Sequence, residues 1–184
     1  TLPSFDELEN PKSNLAAEIY SSDRVLLGTF FKENRSNVEF KEIAPIVIQT
    51  LIATEDERFF EHAGIDPRAL ARAIKGMGKD GGGSTLTQQL AKLLFTEKPA
   101  DNIVVRVIQK LKEWVIAVRL ERHYTKEELV TMYLNKVDFI NNAVGIKSAS
   151  RIYFSKLPSE LNMQQAAMFV GMCVNPSLYN PVRK

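Results

Sequence analysis

The chain has 184 residues, 45% hydrophobic and 25% charged, which suits one domain with a sizeable core and excludes a disordered chain. Its formal net charge of +2 is too weak to point to a nucleic-acid partner, so any anionic ligand has to be met by local basic clusters. A single cysteine, Cys173, excludes an intramolecular disulfide, and its apolar surroundings from Ala167 to Val174 mark it as a buried small hydrophobe. No run approaches the ~20 apolar residues of a membrane span, and no secretory leader is visible. Both ends read as cut, so residues 1–184 are expected to be one excised domain.

Near the start, Ile19-Tyr20 and Val25 to Phe31 read as short strands joined at Ser21-Ser22-Asp23. From Pro45 onward the pattern is helix after helix. Pro45 opens one as a first-turn residue, with apolar positions at Ile48, Leu51, Ile52 and Phe59. Asp66-Pro67 caps the next, which runs to the break at Gly76-Met77-Gly78. After Gly81-Gly82-Gly83, the pair Thr85/Gln88 fits a capping box opening a helix that ends before Pro99. A helix from about Ile103 to Arg122 carries the apolar stripe Val104, Ile108, Leu111, Val115, Val118. Thr125/Glu128 and Asn162/Gln165 are two more capping boxes, the first opening a helix to about Asn135 and the second one to Met172. The expected fold class is therefore mainly α with a small β element near the N-terminus.

Three features carry chemistry. Glu55 falls on the helical face of Ile48, Leu51, Ile52 and Phe59, where the pattern calls for a hydrophobe. An apolar surround disfavours the charged form of a carboxyl, which suits a general base. A helix that ends at Thr54 and turns Glu55 to solvent fits the same residues. Second, the glycines before Ser84, Thr85 and Thr87 let a backbone approach a ligand closely, and the helix behind them offers N–H groups and a positive dipole end. With Lys92 two turns along, the segment is a candidate phosphate or diphosphate cradle, though a flexible hinge has the same composition. Third, Arg106, Lys110 and Glu113 form one row, with Gln109 and Lys112 at its margins; a solvated face is the default meaning of such a row. His62 and His123 stand in unrelated contexts, and no Cys, His and carboxylate cluster has the spacing of a zinc or calcium site.

Taken together, these segments closely resemble family 51 of the glycosyltransferases, the peptidoglycan polymerase domain of bifunctional class A penicillin-binding proteins. Ala53 to Gly64 looks like that family's first motif, and Gly82 to Lys92 is similar to its second. Lys110 to Glu113 with Leu120-Glu121-Arg122 looks like the third. Tyr133-Leu134-Asn135, Gly145-Ile146, Ala149 and Tyr153 to Lys156 are similar to the fourth, with Pro176 and Tyr179-Asn180-Pro181 beyond it. The order and spacing hold from about residue 40 to the C-terminus.

The resemblance implies a lysozyme-like helical fold and the joining of lipid-linked disaccharide-pentapeptide (lipid II) into β-1,4 glycan strands. The growing lipid-linked strand is the donor, and polyprenyl diphosphate leaves. The implied location is the outer, periplasmic face of the bacterial cytoplasmic membrane, with the anchor and any transpeptidase domain belonging to the full-length protein. Implied partners are the two lipid-linked substrates, the membrane surface and other cell-wall synthesis proteins. Glu55 would be the catalytic base and Glu113 the second catalytic carboxylate, holding either the basic side chains or a divalent cation (magnesium or manganese) near the diphosphate. Lys92, Gln89, Ser84 and Thr85, with Arg106, Lys110, Asp56 and His62, would bind substrate and diphosphate. No metal-binding residues are assigned, and no cofactor is required by the pattern.

Three departures stand out: Gln109 where the family usually has arginine, Thr131 where glutamate is frequent, and Ile140 where glycine is common. Arg106, one turn before Gln109 on the same face, is placed to supply the missing charge. Two other functions fit parts of the pattern. A lysozyme-like glycan hydrolase also uses two carboxylates, and a catalytically silent cell-wall assembly module would keep the core and tolerate loss of Glu55. Lipid tails call for an apolar surface near the cleft, for which Trp114, Phe139, Leu70, Ile74 and Met77 are candidates.

Overall fold

A computed structural model describes residues 17–20, 22–23, 26–30, 37–76, 82–95 and 102–182. Val25, Phe31, Met77, Gly81, Pro99 and the side chain of Ile74, all used above, lie outside that description. Strands β1 (Ala17–Tyr20) and β2 (Leu26–Phe30) pair antiparallel, Ala17 opposite Phe30, with one irregularity at Ile19/Tyr20. Seven described helices follow: α1 (Pro45–Glu55), α2 (Pro67–Lys75), α3 (Leu86–Phe95), α4 (Ile103–His123), α5 (Lys126–Lys136), α6 (Ile146–Phe154) and α7 (Met163–Val174). The domain is mainly α with a small β element, as its sequence pattern and the lysozyme-like expectation require.

Helix α1 starts on Pro45, whose missing N–H falls where a helix has no partner for one. It buries Val47, Ile48, Leu51 and Ile52 and packs against α7, while α3 packs against both α4 and α5. Phe139, Phe154 and Phe169 meet edge to face, the last two with ring centres 5.4 Å apart and the first and last 5.2 Å. Both Thr125/Glu128 and Asn162/Gln165 form the reciprocal capping box.

Three sequence expectations change. The α1 helix ends at Glu55 rather than continuing to Phe59, which enters the core fully buried from the turn that follows. The Thr85/Gln88 box is half made. Thr85 Oγ1 accepts the Gln88 N–H, but the Gln88 side chain reaches away to the Gly64 carbonyl. The largest change is in α4. Its core face is Glu113, Ile116, Ala117 and Leu120, while Val104, Ile108, Leu111 and Val115 are exposed. The apolar stripe therefore faces outward over the first half of the helix, and residues 102–108 are all exposed.

Two long-range ties fix the C-terminal half. Asn135 pairs with the backbone of Val38 as a strand would, accepting from its N–H and donating to its carbonyl. Gly145 then begins α6 at φ 80°, where a Cβ would lie 2.8 Å from the Asn135 carbonyl oxygen. Ile140, Asn141 and Asn142 all have positive φ, a conformation that is costly for a β-branched side chain and explains why glycine suits position 140. The loop is held by Ile140 N–H to Asp138 Oδ1, Phe139 N–H to the Ala143 carbonyl, and Tyr153 Oη to the Phe139 carbonyl.

Candidate active site

The turn after α1 is shaped by one buried carboxylate. Asp56 leaves the helix at φ −158° and ψ 70°, and its side chain accepts from His62 Nε2 at 2.9 and 3.0 Å. Its Oδ2 also accepts the Leu86 N–H at 2.9 Å, at the first turn of α3. His62 Nδ1 accepts the Gly64 N–H, so the proton lies on Nε2 and points at Asp56. A negative group at a helix N-terminus is favoured by the exposed N–H groups and the helix dipole. Asp56 thus locks the end of the first motif onto the start of the second.

Gly64 is the other half of that lock. Its carbonyl accepts from Thr85 Oγ1 at 2.8 Å and from Gln88 Nε2 at 3.1 Å. Its φ is +88°, and a Cβ there would sit 2.9 Å from the Ala117 carbonyl carbon on α4. Gly64→Ala is expected to cost about 2–4 kcal/mol from the left-handed backbone and the clash together, measured by urea denaturation. Lys126 closes the turn from the far side, bonding the His62 carbonyl and Glu121 and lying 4.4 Å from the Phe59 ring centre. Asp66 begins α2. Burial alone raises its carboxyl, but the Ala69 N–H, the Arg58 guanidinium and the Arg68 N–H outweigh it and hold it below the usual carboxylate range.

These ties shape a cleft of about 1260 Å³ that spans the ends of several elements. Glu55 lies on its wall, half-buried at the end of α1, and accepts a hydrogen bond at Oε2 from Gln89 Nε2 at 2.8 Å. The same cleft is lined by basic side chains, among them Arg72 from α2, Lys92 from α3, and Arg106 and Lys110 from α4. Lys110 Nζ bonds Ser84 Oγ at 2.9 Å and Glu113 Oε2 at 3.0 Å, so the buried Glu113 fixes a lysine. Among the described residues no group of three or more His, Cys, Asp or Glu side chains is placed to hold a metal ion.

Of the residues singled out in the sequence, Glu55, Asp56, Ser84, Thr85, Gln89, Lys92, Arg106, Lys110 and Glu113 all line the cleft. His62 does not; its ring is buried behind Asp56. Thr85 donates its hydroxyl proton to Gly64, and Gln89 donates to Glu55, so neither amide nor hydroxyl is presented to a ligand by default. Gln109 lines the same cleft as Arg106.

Sequence reasoning missed Arg72, Tyr133 and the position of Cys173. Arg72 is one of several charges on an exposed helix, with no pattern to separate it. Tyr133 was part of a motif but had no assigned role. It is almost wholly buried, and its hydroxyl donates to Gln89 Oε1 at 3.0 Å. Cys173 lines the cleft beside it. Burial, opposed by the Tyr133 hydrogen bond and joined by the Glu55 charge, pushes its thiol up to about 12. At pH 8 iodoacetamide is expected to label the native chain at least about a hundredfold more slowly than the urea-unfolded chain, as read by intact mass, because the thiolate is the nucleophile.

Comparison with known proteins agrees with this architecture. A family model described as transglycosylase matches residues 23–184. Penicillin-binding protein 1A of Pseudomonas aeruginosa is 33% identical over 186 residues, covering 99% of this chain and 22% of that protein. Penicillin-binding protein 1A of Escherichia coli K12 is 34% identical over 185 residues, covering 98% and 21%. Penicillin-binding protein 1F of Bacillus subtilis is 41% identical over 160 residues, covering 85% and 22%. The chain therefore spans about a fifth of the length of these relatives.

Proposed function

Because the chain belongs to the transglycosylase family, we propose that it is a peptidoglycan glycosyltransferase that lengthens a lipid-linked glycan strand from lipid-linked disaccharide-pentapeptide. The observation that carries this reading is one cleft that holds an amide-bound carboxylate, Glu55, together with the basic side chains Arg72, Lys92, Arg106 and Lys110.

In the proposed reaction Glu55 takes the proton from the 4-hydroxyl of the acceptor sugar. The acceptor oxygen attacks the anomeric carbon of the donor strand, and a new C–O bond forms. The bond from that carbon to the diphosphate breaks, and its electron pair leaves with the polyprenyl diphosphate. A diphosphate is already a good leaving group, so stabilising its charge contributes more than protonating it. Lys92 and Arg106 are exposed on the cleft wall for this purpose. Lys110 is held in place by Glu113 and Ser84.

The substrates' lipid tails need an apolar exit. Phe139 is fully buried and Trp114 half-buried, so neither is the main lipid-facing surface. The outward row on α4 fits better, with Ile103 75% exposed and Val104, Val107, Ile108 and Leu111 beside it. Among the described residues no helix is long and apolar enough to cross a membrane, so α4 is read as lying against the outer surface of the bilayer.

The chain incubated with lipid-linked disaccharide-pentapeptide, its products separated on a gel, is expected to build a ladder of glycan strands. A hydrolase would shorten preformed glycan instead, and a silent assembly module would do neither. The basic wall is what favours the transferase over the hydrolase, since a hydrolase has no diphosphate to bind.

A further inference from the structure

Two side chains behind Glu55, Gln89 and Tyr133, form a series of hydrogen bonds that leads to its carboxylate. Ionised Glu55 is an acceptor only, so the Gln89 amide must present its NH2 group to Oε2. That leaves Gln89 Oε1 facing the other way, where it accepts from the Tyr133 hydroxyl at 3.0 Å. Both donors, the Tyr133 hydroxyl and the Gln89 amide, point toward Glu55.

We propose that Tyr133 is a positioning residue for the reaction: its hydroxyl fixes the Gln89 amide so that the amide holds one Glu55 oxygen and leaves the other for the acceptor hydroxyl. The inference rests on Glu55 as the base. An amide has two near-equivalent orientations, and turned the wrong way it would set its carbonyl oxygen against the carboxylate. By donating to Gln89 Oε1, Tyr133 reinforces the orientation that Glu55 requires. It is suited to the task because it is packed in the core of α5, only 3% exposed, so its ring cannot swing away. Burial raises its phenol far above the ordinary range, so it stays a donor at any working pH.

The test is a double-mutant cycle on the intact chain, read as polymerisation kinetics with thermal melts as a folding control. Tyr133→Phe keeps the ring and its packing and is expected to lower kcat about tenfold, with KM changed less than about twofold. Gln89→Ala, which removes a hydrogen bond to a charged group, is expected to lower kcat about 30-fold. If Tyr133 acts through Gln89, adding Tyr133→Phe to Gln89→Ala has no further effect. A second tenfold loss in the double variant, or wild-type kcat in Tyr133→Phe alone, overturns the proposal. Glu55→Gln in the same assay separates the two ideas. If it polymerises normally, the base assignment fails whatever the cycle shows; if it is inactive and the cycle is additive, only the role of Tyr133 fails.

Discussion

Glu55→Gln is expected to lower the polymerisation rate by about three orders of magnitude, within the range that a positioned general base supplies. Glutamine matches the shape of glutamate and can still accept the Gln89 N–H through its own carbonyl oxygen, so the wall of the cleft keeps its form. It has no basic oxygen at working pH, and the acceptor hydroxyl must then lose its proton without help. The fold loses little, because Glu55 is the last, half-buried residue of α1 and its hydrogen bond to Gln89 survives in the variant. Thermal stability should stay within about 1 kcal/mol of wild type. A parallel fall in activity and stability would instead mean that Glu55 braces the helix end. Polymerisation rates and melting curves on the same preparation distinguish the two.

The neighbouring residue should behave in the opposite way. Asp56→Ala is expected to destabilise the domain by about 3–5 kcal/mol, the cost of removing one partner from a buried polar cluster. The variant strands two donors at once, His62 Nε2–H and the Leu86 N–H, and removes the negative group from the start of α3. Asp56→Asn should fall between, since one acceptor oxygen survives and the added NH2 faces a donor. Urea denaturation measures both. Activity should fall with stability in these variants, because Asp56 joins the helix end that carries Glu55 to the helix that carries Gln89 and Lys92. A full-strength Asp56→Ala enzyme of unchanged stability would contradict the clamp.

How much of this was legible depended on whether a residue's role is local. Capping boxes at Thr125 and Asn162 and the Asp66-Pro67 cap are written in neighbouring residues, and they form as read. Glu55 stands out as an acid on an apolar face, but the same apolar spacing extends to Phe59, which belongs to the turn after the helix. The helix stops where Asp56 is drawn to His62 and Leu86, and Leu86 lies 30 residues away, beyond any local pattern. The same limit hid Tyr133, whose hydroxyl meets Gln89 44 positions away.

Helix α4 failed for a different reason. Apolar residues cover much of its circumference, so the stripe alone does not say which face is inside. The row Arg106, Lys110, Glu113 turned out to face the cleft, and the apolar stripe faces out. A charged row normally means a solvated face because burying ions is costly. Here Lys110, Ser84 and Glu113 satisfy one another, and the cleft is roomy enough to keep the other charges wet. The clue was available in hindsight: Glu113 is spaced to meet Lys110, and Ser84 belongs to the glycine-rich segment expected to approach a ligand.

The account comes down to a single displacement driven by one base. The measurement that tests it most directly is the anomeric configuration of the newly formed glycosidic bond, read by NMR on strands made from α-linked lipid disaccharide. The account predicts inversion, with every new bond β-1,4. Retention would contradict it, because it requires a carboxylate to form a covalent glycosyl intermediate, and Glu55 would then be a nucleophile rather than the base.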